Sequence, residues 1–446
     1  MKRGTFYSIV LIILLLAGSG VYLYSRNHED PIPPLKERHG PISTTSEWLN
    51  TKAAIEGLQY KLRKNSNDTK SKLLLALAYM QEARVTGEHP YYYPAALQLV
   101  DEVLDRKNAD PSIRYEAIIA KASIQLSLHQ FEEARATGLE ALKLNDKRAT
   151  VYGVLCDANV ELGNYDEAIE MADQMVAIRP DLKSYARISY LREIHGDLEG
   201  AIQAMEMAAR AGTPSLEQTA WTKCTLGQLY EKKGELQLAE ATYRQALEER
   251  PSYAFATGGL GRIEAKKGNY KEGIALLEQA ANTLPEFSFQ EELTSLYQKT
   301  GQKEKAAETM KQLLAGLEED QEAGHVVDLE LARIHTELGD DYDKAMGYAM
   351  KEYKRRPNNI DVNNTLAMIY YKKQDYAKAD TYMKRAMRTQ KQDAATLCLD
   401  GLITFKKGDK ATGQALLQKS FSLDPFQNNS LSKEGKKVLG NALSSL

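Results

Sequence analysis

Apolar and polar positions along this chain follow a helical beat that is broken at regular intervals. Between Ala149 and Pro180, the residues Tyr152, Leu155, Cys156 and Asn159 fall on one side of a helix. Gly163-Asn164 interrupts that pattern, where a helix commonly ends on a residue of positive φ. Tyr165-Asp166-Glu167-Ala168 opens a second helix, with its acids in the first turn, where the helix dipole favours them. Ala168, Ala172 and Met175 continue it at i, i+4 and i+7, and Arg179-Pro180 closes the unit. The predicted element is an antiparallel helix hairpin.

The same unit recurs along the chain. Small residues stand at Ala134, Ala168, Ala201, Ala239, Gly273, Ala306, Ala345, Ala379 and Gly413, spaced by 33 to 39 positions. Five residues before them comes a row of turn glycines, Gly163, Gly196, Gly234, Gly268, Gly301 and Gly408. Twelve residues after them comes a row of prolines, Pro180, Pro251, Pro285, Pro357 and Pro425. Three rows in one phase predict an array of stacked hairpins, because one hairpin cannot bury its apolar face alone. The small row is expected where two helix backbones approach too closely for a larger side chain.

These residues resemble the tetratricopeptide repeat family. One copy carries Leu226, Gly227, Tyr230, Gly234, Ala239, Tyr243, Ala246 and Pro251; the next carries Leu260, Gly261, Gly268, Tyr270, Leu277, Ala280 and Pro285. A later copy carries Leu366, Ala367, Tyr370, Tyr376, Ala379 and Ala386. The run from Tyr91 through Pro425 also resembles a group of bacterial tetratricopeptide proteins. The resemblance implies an all-α, right-handed superhelical solenoid of about ten hairpins over residues 67–429, with first helices lining a concave groove. It implies binding of a protein or peptide partner rather than catalysis. Ser46 to Lys64, with Trp48, Ile55, Leu58 and Leu62 on one side, is predicted to be a helix that caps the array or forms half a repeat within residues 46–66. Residues 430–446 supply a polar capping helix, Ser432 to Leu443. Gly339-Asp340-Asp341 lengthens one turn by a residue.

A second signal lies at the N-terminus. Phe6 to Tyr24 is free of charge, follows Lys2 and Arg3, and approaches the ~20 residues needed to cross a bilayer. Residues 1–25 therefore read as a transmembrane anchor, or as a signal peptide cleaved near Ala17-Gly18-Ser19. The charge bias places the repeats on the periplasmic or extracytoplasmic side if the chain is anchored; cleavage would leave them periplasmic or secreted. Residues 26–45 hold Pro31, Pro33, Pro34 and Pro41 and read as an extended spacer.

Composition narrows the chemistry. Lys plus Arg number 58 and Asp plus Glu 61, a net charge of −3, without the basic excess a nucleic-acid binder needs. Cys156, Cys224 and Cys398 are far apart and form no metal-binding pair, and Cys156 sits in a packing slot. The seven histidines show no ligand spacing, and His129 and His195 fall near turns. Gly258-Gly259-Leu260-Gly261 lacks the strand and the lysine of a phosphate loop, so close helix packing explains it. Carboxylate pairs such as Glu318-Glu319 are ordinary for charged helices. No enzyme activity, cofactor, metal or small-molecule substrate is expected.

The candidate partner-binding groove combines Trp221, Phe255 and Phe287 near the starts of successive first helices with Tyr190, Gln228 and Arg262 in a second register. Aromatic and arginine side chains are typical hot spots; the competing expectation is packing between hairpins. Tyr91, Tyr92 and Tyr93, in the insertion Gly87 to Pro94, form a secondary contact loop or fold back onto the solenoid. Two functions follow: a membrane-anchored scaffold holding one partner in the groove, or a chaperone-like assembly or export factor holding many client polypeptides.

Overall fold

The computed structural model describes residues 32–443, so the anchor or signal segment at residues 1–25 lies outside the described residues. No helix among the described residues is long and apolar enough to cross a membrane.

The described chain is all-helical and builds ten hairpins. In order they are Thr69–Thr86 with His89–Leu104, Pro111–Ser127 with Phe131–Leu144, Ala149–Leu162 with Tyr165–Ile178, Leu182–Ile194 with Leu198–Ala211, and Glu217–Lys232 with Leu236–Glu249. Then come Ala254–Lys267 with Tyr270–Thr283, Phe287–Lys299 with Lys303–Glu322, Asp328–Glu337 with Tyr342–Arg355, Ile360–Lys372 with Tyr376–Ala386, and Ala394–Lys406 with Lys410–Leu423. Ser46–Lys64 and Ser430–Leu443 flank them. First helices touch the first helices of neighbouring hairpins as well as their own partners, which curves the stack around them.

The small-residue row lies where the sequence predicts close contact. Ala134, Ala168, Ala201, Ala239, Ala345 and Ala379 are fully buried. A Cβ on Gly273 would stand 2.9 Å from the Gly261 carbonyl, and one on Gly413 would stand 2.8 Å from that of Gly401, so these helix pairs leave no room for a methyl group. In the fourth hairpin, Asp181 and Ser184 form a reciprocal capping box that satisfies free amides of the first turn.

The solenoid also closes on itself. The turn inside each of the first five hairpins docks on the connection that follows the fifth hairpin further along. Gly87 packs on Leu284 and Pro285. The Val326 amide donates to the Leu128 carbonyl at 3.0 Å, and Gln130 Nε2 donates to Gly324 O at 3.0 Å. In the third hairpin, Asn359 Nδ2 donates to Glu161 O at 2.9 Å, Arg388 reaches Gly163 O, and Arg356 pairs with Glu161. Gly196 abuts Gln390, and Gly234 abuts Leu423. Gly163 combines two demands, a φ of 80° and a backbone neighbour, Asn358, where any Cβ would collide. The turns at Gly268, Gly301 and Gly408 have no such neighbour.

Three expectations change. The Pro-rich stretch is not a free spacer from Ile32 onward: it straps the first hairpin. Arg38 is buried against Glu82 at 2.5 Å, the Tyr91 hydroxyl donates to Pro34 O at 2.6 Å, and Gln59 donates to Pro33 O at 3.1 Å. Tyr91, Tyr92 and Tyr93 are helical residues rather than a loop, because His89–Leu104 begins before them; Tyr92 and Tyr93 are buried. His129 is not simply an exposed turn residue. Its ring meets His325 at 4.4 Å and stacks on Phe131 at 5.3 Å, inside the seam between successive superhelical turns.

Candidate binding site

The first helices converge on a narrow lumen. Lys183, on the fourth hairpin, has its ammonium pKa lowered by burial, with Arg187 beside it and Arg84 of the first hairpin adding to the effect. Tyr190 shows the same confinement. It is 39% exposed to solvent, yet burial holds its hydroxyl pKa well above the ordinary value, with Asp361 and Glu161 adding to the effect.

Two cavities open on the lumen. The larger, about 450 Å³, lies between first helices of the fifth to eighth hairpins, the start of the first helix of the tenth, and the segment Asp424 to Asn429. That volume falls within the range of about 300–1,000 Å³ typical of ligand sites. The smaller, about 300 Å³, is lined by His129, Glu161, Glu330, Arg356 and Asp361 along the seam.

The predicted groove residues divide. Trp221 is 43% exposed and Gln228 is exposed, both on Glu217–Lys232. Phe255 is half-buried, with its ring 5.5 Å from Phe289 and 5.6 Å from Tyr253. Phe287 is half-buried on the core that holds Leu313 and Leu317. Phe255 and Phe287 thus pack between hairpins, the competing expectation for these rings. Arg262 faces the larger cavity but is committed. Nε donates to Glu231 at 3.2 Å, Nη1 to Glu292 at 3.1 Å, and Nη2 to the Tyr243 hydroxyl at 3.0 Å. It ties three successive hairpins together.

The residues that sequence reading missed are Glu291, Glu292, Glu337, Phe426 and Gln427, all lining the larger cavity. Burial pushes the Glu291 carboxyl up to about 7; Glu337, Glu330 and Glu292 add to this, and Arg333 opposes it. The adjacent pair Glu291-Glu292, on a first helix, was the available signal. Nothing in the sequence brings Phe426 and Gln427 to it, because they arrive from three hairpins later through the closure of the solenoid.

The three cysteines are buried and free, and burial raises Cys156 to about 12 and Cys398 to about 11, so both are held as thiols at neutral pH. Among the described residues, no group of three His, Cys, Asp or Glu side chains is placed to hold a metal.

The tetratricopeptide repeat family model matches residues 119–183 and 224–288, and a second model of the same repeat matches residues 360–393. No curated protein matches the sequence. Among solved structures, the chain is similar to a human IFIT1 dimer with PPP-AAAA, at 15% identity over 84% of this chain and 88% of that one, with a TM-score of 0.44. It is similar to PilW, a type IV pilus biogenesis factor, at 19% identity over 47% and 97%, with a TM-score of 0.38. A thermophilic repeat protein of Thermus thermophilus aligns at 22% identity over 41% and 92%, with a TM-score of 0.35.

Proposed function

We propose that this chain, a tetratricopeptide repeat protein, is an interaction scaffold that holds a segment of one partner protein in the lumen of its solenoid. The observation that carries this reading is the convergence of first helices from five hairpins on one preformed cavity. A preformed site lowers the ordering cost of binding. Trp221 and Tyr190, large rings left open to solvent, are the anchors offered to the partner. In the same reading, residues 1–25 fasten the scaffold to a membrane, with the repeats on the extracytoplasmic face. A factor holding many unfolded clients would need a broad apolar surface, and the charged cavity lining favours a specific partner instead.

The test is affinity capture of the tagged chain from gently solubilised membranes, with a Trp221→Ala/Tyr190→Ala variant in parallel. Both substitutions fall on open side chains, so the variant is expected to keep its helicity and melting temperature. The expected result is one dominant stoichiometric partner, lost in the variant. A dispersed set of clients, or a partner that the folded variant retains, would overturn the reading.

A further inference from the structure

We propose that the larger cavity takes an arginine or lysine side chain presented by an extended segment of the partner. This rests on the lumen being the contact surface and adds the chemistry of the contact.

Most of the cavity's own cations are already engaged. Arg262 is held by Glu231, Glu292 and Tyr243, Lys266 stands 3.4 Å from Asp424, and Lys232 pairs with Glu193. Lys299 lies 4.5 Å from the centre of the Tyr270 ring. Arg333 is spread thin. Its nearest carboxylate is Glu291 at 3.7 Å, and Glu337, Glu330 and Asp361 also act on it.

What is left over is acceptor capacity. Glu292 Oε2 is buried without a partner. Gln427, only 9% exposed, lines the same cavity, and its Oε1 is likewise buried without a partner. The orientation of that amide is fixed, because Nε2 already donates to Ser420 O at 3.1 Å, to Ser420 Oγ at 3.0 Å and to Asp424 O at 3.0 Å. Turning it over would set the oxygen against two carbonyls. Phe426, 40% exposed on the same lining, offers an aromatic face beside the acceptors. Two buried acceptors without donors, two carboxylates, Glu291 and Glu337, sharing one loosely held guanidinium, and an open ring together suit a guanidinium or ammonium group. An anionic or purely apolar guest would leave the acceptors unpaired, whereas a cationic guest would supply the donors they lack.

The experiment is fluorescence anisotropy with the whole chain and three short labelled peptides of repeating Gly-Arg-Ser, Gly-Glu-Ser and Gly-Leu-Ser. The expected result is tightest binding of the arginine peptide, weakened about tenfold by Glu292→Gln and by Glu337→Gln, with Glu240→Gln on an outer helix leaving it unchanged. Glu337 is exposed, so its substitution tests the site without touching the Arg262 network that Glu292→Gln disturbs. Equal or tighter binding of the acidic or apolar peptide would overturn the proposal, as would an arginine peptide indifferent to both substitutions. If the peptide that binds instead is lost in Trp221→Ala/Tyr190→Ala, the lumen reading survives and only the cationic guest is excluded.

Discussion

Gly163 and Gly268 occupy the same place in their hairpins, both at positive φ, and they do different work. The first lies under the next turn of the superhelix, against the Asn358 backbone; the second has nothing within 4 Å. The same contrast separates Arg356 from Arg179, each just before the proline that ends its hairpin. Arg356 is buried between Glu352 and Glu161, with its guanidinium 4.7 Å from the Phe131 ring centre, whereas Arg179 lies open beside Asp181. A repeat motif therefore fixes what each hairpin needs in order to fold, while its position in the array decides what the same residue does next.

The largest effect that sharpens this contrast is expected at the two arginines. Arg356→Ala takes from Glu161 its ion-pair partner and leaves the buried Glu352 with Arg355 alone, and should cost about 3 kcal/mol. Arg179→Ala removes an open surface pair and should cost under about 1 kcal/mol. Chemical denaturation of both variants checks this, and similar losses would break the comparison.

That pair also marks how far the sequence could be read. The hairpins, their small-residue contacts and the capping helix from Ser46 to Lys64 were legible because each rests on spacing within some forty residues. The strap formed by Ile32 to Thr45, the seam around His129 and the lumen wall at Phe426 and Gln427 were not. They depend on the pitch of the superhelix, which sums small rotations over successive hairpins and leaves no local mark. The aromatic register was legible, but its direction was not. Trp221 is open to solvent, while Phe255 is wedged between Tyr253 and Phe289.

A somewhat smaller difference is expected between the two glycines. Gly268→Ala meets only the strain of positive φ, about 1–2 kcal/mol. Gly163→Ala meets that strain and a collision with the Asn358 backbone, so it should lose more and should speed hydrogen exchange at both Gly163 and Ile360. Exchange that quickens at Gly163 alone would show that the seam is not cooperative.

The smallest effect concerns pH. Burial and the neighbouring Asp320 push the Glu286 carboxyl, beside the seam, up to about 7, and His325 opposes this. A carboxyl whose folded pKa exceeds its unfolded value binds more protons when folded, so its penalty is complete above about pH 7 and fades toward pH 4.5. Glu286→Gln should therefore raise the melting temperature by a few degrees at pH 8 and leave it nearly unchanged at pH 5. The same gain at both pH values would contradict this origin.

The most direct test of the lumen as the contact surface is site-specific photocrosslinking. A photoreactive residue at Ser295, on the wall of the larger cavity, would be compared with one at Gln245, exposed on an outer helix, each in the presence of the captured partner. The expected result is a crosslink to one continuous partner segment from position 295 and none from position 245. A crosslink from position 245 with none from position 295 would place the partner on the outside of the solenoid and contradict the binding mode.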